Sequence, residues 1–441
     1  MNNWAMTEAQ VFGAKGFDMS QIFRDLKIGL DEDLKEKLSW MVPNYSQVRI
    51  LRKSVDARRS SAPHWVYSVE VFEQAESAPE EKHELEKIDF PKNAQKPLII
   101  GSGPAGLFAA LRLVERGIPC VLIERGSVGA KRIQSINQYW RYGQLDPNNN
   151  VCFGEGGAGL YSDGKLITRI KSPYIPYVMH RLVQFGAPDE IKYLANPHVG
   201  SDRIRRVIPL LREYLLANGC EIQFDTPMRE LLIENGTVVG VRTAHGQELR
   251  SDHVILATGH SAEDVLLSLH DQGVAMEGKS FALGLRIEHP QKIINQIQFR
   301  KHADRTELGA ANYRLANHDE STGIGVYSFC MCPGGYVLSS ATGPGQIVAN
   351  GMSNYHRNSP FANAAVVVSV DHPKRFGADL FGGLDFRRRL EAGAYQQVQA
   401  AGGTREIPVQ NLVSFLEKKA GPALKSSSPS GAIATRLDEL L

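Results

Sequence analysis

The sequence predicts an α/β protein in three parts. A small α+β domain occupies residues 1–90, an α/β domain 91–260 and a β-rich domain 261–410, followed by a helical end at 411–441. Three observations carry that reading. A short apolar run, Leu98-Ile99-Ile100, breaks into Gly101-Ser102-Gly103-Pro104-Ala105-Gly106 and resumes, after a helical pattern, as Val121-Leu122-Ile123-Glu124. A later apolar run, Val254-Ile255-Leu256, ends in Ala257-Thr258-Gly259. Beyond Ser261 the apolar residues fall into runs of strand length.

A chain of 441 residues has room for several domains and a large core. A formal net charge of +2 points to neither a nucleic acid nor a membrane surface as partner. No apolar run approaches the ~18 residues of a membrane span. Residues 1–6 lack the basic and apolar regions of a secretory signal. The five cysteines, Cys120, Cys152, Cys220, Cys330 and Cys332, are odd in number and sit mostly in apolar segments. That usage fits reduced thiols in a cytoplasmic protein.

In the N-terminal domain, residues 30–41 have helical character, and 46–53 and 64–72 read as strands. Residues 74–93, rich in Glu, Lys and Pro, read as a linker. The basic cluster Arg49, Arg52, Lys53, Arg58 and Arg59 could dock an anionic partner; a solvated or interdomain face is the reading we favour.

The glycine turn that follows is the dinucleotide-binding fingerprint. Gly101 permits the tight turn, Gly103 lets a pyrophosphate approach the backbone, and Gly106 lets the helix pack close to the strand. Leu107, Leu111 and Val114 lie along one helix face and Gly117 stops it. The pyrophosphate would meet the positive helix end, beside Pro104 and Ala105. Glu124, with Arg125 beside it, is placed to accept hydrogen bonds from a ribose.

Evenly spaced βαβ units do not follow. A glycine-rich stretch leads to a helix at 202–217, a strand at 220–225 and a meander through 229–232, 238–244 and 247–250. The meander delivers a buried strand ending in Ala257-Thr258-Gly259, where small residues let the chain pass a bound dinucleotide. This pattern resembles FAD proteins of the glutathione-reductase type, which implies FAD rather than NAD and a backbone contact from Met228 to the adenine. No second Gly-x-Gly-x-x-Gly appears, so NAD(P)H is expected only as a transient reductant.

A second glycine loop, Gly154-Glu155-Gly156-Gly157-Ala158-Gly159, precedes Lys165. Its N–H groups can form an anion nest and its bare backbone can accept a flat ring, with Lys165 as an anchoring or electron-tuning cation; a surface loop is the alternative. Cys330-Met331-Cys332 offers thiols that could attack a flavin or exchange electrons with a disulfide. A small strand-end pair is the bland alternative, and two cysteines do not make a zinc site, so no metal is expected. Arg286 could hold a substrate carboxylate and His289 could act as acid or base. An Arg286–Glu288 ion pair is an equal alternative.

Arg52-Lys53-Ser54-Val55-Asp56-Ala57-Arg58, the first glycine loop, residues 154–166, Arg286-Ile287-Glu288-His289-Pro290, Cys330-Met331-Cys332-Pro333-Gly334-Gly335 and Asn350-Gly351-Met352-Ser353 together resemble the bacterial family of uncharacterised FAD-dependent dehydrogenases. The resemblance implies a glutathione-reductase-like FAD domain, an inserted second domain and an FAD-dependent oxidoreductase acting at the flavin N5 on a small-molecule substrate it does not name. Such proteins close the FAD site with a late Gly-Glu or Gly-Asp pair opening a final helix. None follows Ser261, so the sequence reads as truncated relative to the family. Two competing readings are a flavin-dependent RNA-modifying or RNA-binding module using the basic N-terminal domain, and an inactive truncated relative.

Overall fold

The computed structural model describes residues 20–58, 61–73, 85–168 and 170–440. Arg59 and residues 74–84 of the expected linker lie outside them. The chain divides into two compact units: Met1–Glu84 with Lys165–Val199 and Lys292–Ala311, and Leu85–Gly164 with Gly200–Gln291 and Asn312–Leu441.

In the first unit, β1 (Ser20–Gly29), β2 (Tyr45–Asp56) and β3 (His64–Glu73) form an antiparallel sheet in the order β1-β3-β2. Helix α1 (Leu34–Met41) starts later than residue 30 because Asp33 caps it, accepting from the N–H groups of Lys35 and Glu36 at 2.8 and 3.0 Å. Tyr67, Val69 and Val71 point from one face of β3 into a core with Ile28, Leu38 and Val42. Strand β1 has no sequence signal because a bulge between Phe23 and Leu26 interrupts its period-two pattern. Helices α4 (Ile175–Gln184) and α7 (Gln291–Phe299) also contribute to this unit. Within the basic cluster, Arg49 pairs with Glu70 at 2.5 Å and Arg58 with Asp56 at 2.5 Å. The Lys53 ammonium lies 4.2 Å over the Trp65 ring.

The second unit is built on a parallel sheet of β4 (Leu98–Ile100), β5 (Cys120–Ile123), β6 (Cys220–Gln223) and β10 (Val254–Leu256), in the order β10-β4-β5-β6. Helices α2 (Pro104–Glu115), α3 (Gly129–Tyr142) and α5 (Ser201–Ala217) connect the strands. An antiparallel meander of β7 (Met228–Glu234), β8 (Thr237–Thr243) and β9 (Glu248–Arg250) precedes β10, and α6 (Glu263–Asp271) follows it. Leu98, Ile100 and Ile123 share a core with Met228, Leu231, Val241 and Val265, which joins sheet, meander and α6. Strand β10 departs from expectation. It is the edge strand, and Ile255 and Leu256 are 37% and 41% exposed rather than buried.

Beyond α6, β11 (Phe281–Pro290), β12 (Ala316–Asp319), β13 (Ile324–Ser328) and β16 (Phe361–Val370) form a sheet in the order β11-β16-β13-β12. A hairpin of β14 (Gly335–Ser339) and β15 (Ala349–Ser353) is set beside it in sequence. Helices α8 (His372–Phe376), α9 (Gly382–Ala400) and α10 (Leu412–Leu416) and the parallel pair β17 (Ile407–Val409) and β18 (Ala432–Ala434) complete the unit.

Arg132, on α3, is fully buried. Its Nε donates to Asn150 O at 3.0 Å, Nη2 to Val151 O at 3.0 Å, and Nη1 to Glu155 O at 2.6 Å and Gly154 O at 3.4 Å. Burial lowers its pKa to about 10, so it stays charged at neutral pH. One guanidinium therefore fixes the carbonyls of the loop entering Gly154–Gly159. Replacing Arg132 with Met should cost about 3–5 kcal/mol, the range for breaking a buried charged network. Lysine should not restore it, because an ammonium lacks the planar fork. Denaturant unfolding of both variants measures this, and hydrogen exchange should show faster exchange across residues 150–160.

Candidate functional site

A cavity of about 650 Å³ opens at the C-terminal ends of β4, β5 and β10, the side on which open α/β sheets bind ligands. Its floor is Gly101, Gly103, Pro104 and Ala105, at the start of α2. The two outer glycines of the fingerprint are closed against protein. A Cβ on Gly101, which has φ +107°, would meet Ala257 O at 2.5 Å, and one on Gly106 would meet Gly101 O at 1.8 Å. Gly103 is different: φ is −71°, and its nearest neighbour to a Cβ would be Gly157 Cα at 3.9 Å. The backbone at Gly103 tolerates a side chain, and what the glycine preserves is open space in the cavity.

The second glycine loop crosses the first at van der Waals distance. The Gly156 N–H donates to Ser102 O at 3.0 Å, and a Cβ on Gly157 would lie 2.9 Å from Gly103 Cα. Gly157, Ala158 and Gly159 line the cavity within a short 3-10 turn, while Gly156 is turned inward. Glu155 supports this turn from behind: its carboxylate takes the Gly129 N–H and an ion pair from Arg212, both at 2.6 Å.

Glu124 lines the cavity but has different partners from those expected. Its carboxylate is buried and accepts from Ser102 N at 2.8 Å, Ser102 Oγ at 2.9 Å, Gly126 N at 2.9 Å and Gly154 N at 3.0 Å. A carboxylate has about four acceptor positions, and four protein donors already meet this one. Arg125 is held by Asp264 at 2.6 Å and lies 4.4 Å over the Phe153 ring. Met228, Ala257, Thr258 and Gly259 form the wall opposite. Sequence reasoning missed Cys152, Phe153, Thr226, His260 and Ser261, which also line it; only Phe153, bordering the glycine loop, had a signal. Lys165 belongs to the first unit, where it bridges His198.

The glycine floor and helix start suit a pyrophosphate, and Met228 and Gly159 line the same cavity. Those residues fit a dinucleotide. Family models match residues 95–136 (FAD binding domain), 188–313 (FAD dependent oxidoreductase) and 280–441 (FAD-dependent protein, C-terminal domain-like). An uncharacterized protein of Clostridium beijerinckii is 35% identical over 436 residues, covering 94% of this chain and 81% of that one. The chain belongs to that family of FAD-dependent proteins. Among solved structures, the GidA-related protein of Thermus thermophilus is 17% identical, covering 44% of this chain and 73% of that one, with a TM-score of 0.25. L-Amino acid deaminase of Proteus myxofaciens is 15% identical over 46% of this chain and 53% of that one, with a TM-score of 0.27. This FAD-dependent protein is an oxidoreductase of unknown substrate. Among its described residues, no helix is long and apolar enough to cross a membrane.

The four residues expected to carry catalysis do not line the cavity. Arg286, on β11, does not pair with Glu288. Its Nη1 donates to Asn363 Oδ1 at 2.6 Å, while Glu288 accepts from the Ser427 N–H at 2.9 Å. Cys330 is exposed and Cys332 buried. His289 Nε2 meets Tyr313 Oη at 2.9 Å, and its buried Nδ1 has no partner. Burial pulls the His289 pKa below the usual histidine range, because desolvation disfavours the charged ring. A base with a lowered folded-state pKa loses stability as pH falls below the ordinary value of about 6.5. Thermal unfolding between pH 5 and pH 8 should therefore show a smaller loss on acidification for His289→Gln than for the wild type.

Proposed function

We propose that this oxidoreductase holds FAD in the cavity at the first glycine turn, in the manner of glutathione-reductase-type proteins. The observation that carries the proposal is Gly103, whose backbone does not require glycine but whose missing Cβ keeps the cavity floor open. The antiparallel meander between β6 and β10 supports the subtype, since it supplies Met228 to the wall. The first turn of α2 presents N–H groups with no intrahelical acceptor, which suits a pyrophosphate. Gly157, Ala158 and Gly159 offer bare backbone on which a flat ring can rest. Glu124 acts as a pillar, fixing the N–H groups of Ser102, Gly126 and Gly154 and so the spacing of the cavity walls. Bound FAD supplies the redox step at its N5, with a small-molecule substrate as the other partner and NAD(P)H as a transient reductant. The chain's own residues bind and orient. We place this activity in the cytoplasm, on the basis of the cysteine usage.

Gly103→Val tests the site at a position where φ is −71° and a Cβ would make only ordinary contact. The variant should keep the far-ultraviolet spectrum and unfolding midpoint of the apoprotein but lose flavin absorbance after incubation with FAD and desalting. Equal flavin content in wild type and variant would refute the placement. Anaerobic addition of NADPH or NADH to the FAD-loaded wild type should bleach the flavin band.

A further inference from the structure

The N-terminal sheet has a second cavity on the face away from its core. Tyr67, Val69 and Val71 of β3 point into that core, so Val66 and Ser68 face the other way. The cavity there has a volume of about 390 Å³, within the rough range of small-ligand sites. It lies in the first unit and shares no lining residue with the dinucleotide cavity. Buried Ser68 lines it together with Arg52 of β2 and Asp25 of β1.

Two bulges meet at this point. Arg52 pairs with Ser68 directly after a register shift between Ile50 and Arg52. On the other side of β3, the shift between Phe23 and Leu26 leaves Arg24 and Asp25 opposite Ser68. Asp25 takes the left-handed conformation there, at φ 54°. Bulges re-aim side chains, and here both flanking strands are bulged at the level of one residue. The two strands stand about 10 Å apart, two strand spacings. Among the described residues, Arg52 and Asp25 form no ion pair, either with each other or with another group. The remaining charges of the lining are spent on each other. Arg58 Nε donates to the two Asp56 oxygens at 3.0 and 2.9 Å and Nη2 donates at 2.5 Å, which pulls the Asp56 carboxyl down to about 2. The cavity is left with one uncommitted cation and one uncommitted anion.

We propose that this cavity binds a free α-amino acid in its zwitterionic form. An anion alone would face Asp25, and a cation alone would face Arg52, whereas a ligand carrying both charges answers both. The planar guanidinium of Arg52 takes the carboxylate through paired N–H groups, and the Asp25 carboxylate takes the ammonium. Ser68 and Gln298 of α7 add neutral hydrogen-bonding groups, and Val55 and Val66 give the ligand's side chain an apolar wall. The same charges tell against RNA in this cavity, because a phosphate backbone would bring negative charge to Asp25 as well as to Arg52.

Saturation-transfer NMR of the full chain with each proteinogenic amino acid in turn should give a signal for at least one. Calorimetry then compares the tightest binder with its decarboxylated amine and its deaminated acid, and loss of either charged group should weaken binding by about tenfold or more. Arg52→Gln and Asp25→Asn should each weaken it by a similar factor while keeping the far-ultraviolet spectrum of the wild type. Asparagine tolerates the left-handed conformation, so the change at Asp25 removes charge alone. Binding of no amino acid, or unchanged binding in both folded variants, would overturn the proposal. A deaminated acid that binds as tightly as its parent, or inorganic phosphate that binds more tightly than any amino acid, would also overturn it and leave a simple anion site. None of these measurements needs FAD, so failure here is separate from failure of the cofactor assignment.

Discussion

The Glu124 carboxylate is the tie on which the candidate site depends. It gathers N–H groups from the turn after β4, the turn after β5 and the entry to the second glycine loop. Burying a carboxylate costs several kcal/mol. Hydrogen bonds to a charged group return about 1.5–3 kcal/mol each, so four of them outweigh that cost. Arg132 is the complement, since it gathers carbonyl oxygens of residues 150–155. An anion holding amides and a cation holding carbonyls orient the same loop from opposite sides. The backbone polarity of the cavity wall is therefore set before any ligand arrives, which is the condition for binding a phosphate without reorganisation cost.

That loop is also tied to the C-terminal part of the unit. Asp163 forms a buried ion pair with Arg357 at 2.5 Å, and Trp140 Nε1 donates to Ser339 O at 2.9 Å. Arg205 reaches Leu160 O at 3.4 Å and Met352 Sδ at 3.6 Å, so it touches the glycine loop and the neighbour of Gly351 together. The β14–β15 hairpin and the loop lining the cavity are thus parts of one polar framework. A change at either end has a physical route to the other through groups with fixed partners.

The first glycine turn, its helix, the meander and the Ala257-Thr258-Gly259 return were legible because each has a local cause: a turn that demands glycine, a period, or a stop. Strands β11, β13 and β16 of the C-terminal sheet were legible for the same reason, through alternation and β-branched runs such as Ala365-Val366-Val367-Val368, whereas the exposed β12 was not. What was not legible depends on partners distant in sequence. Helix α3 was hidden because its inward face joins Ile136 and Trp140 to a charged residue, Arg132, which pattern reading assigns to solvent. The exposure of β10 follows from strand order, which no local pattern encodes. Glu124 was assigned to a ribose because its position suits one, and only the three-dimensional arrangement shows four protein donors already there. Arg286 and Glu288 share a strand face by spacing, yet their partners, Asn363 and Ser427, come from other parts of the chain.

The two glycine loops meet backbone to backbone, and this limits how the site can vary. Gly126 and Gly154 approach so closely that a Cβ on Gly126 would lie 2.6 Å from Gly154 Cα, and one on Gly157 would lie 2.9 Å from Gly103 Cα. Side chains cannot enter that seam without parting the loops, and parting them would strip Glu124 of the Gly154 amide. The cofactor end of the site is therefore lined largely by main chain, held in place by the Glu124 and Arg132 side chains. Chemical selectivity must come from side chains elsewhere. Within the second unit, the cavity lining at Cys152, His260 and Ser261 offers reactive or ionisable groups suited to that role. A fixed main-chain cradle beside a variable set of side chains is what lets one cofactor fold serve many substrates. It is also why the fold and the cofactor follow from this chain more directly than the substrate does.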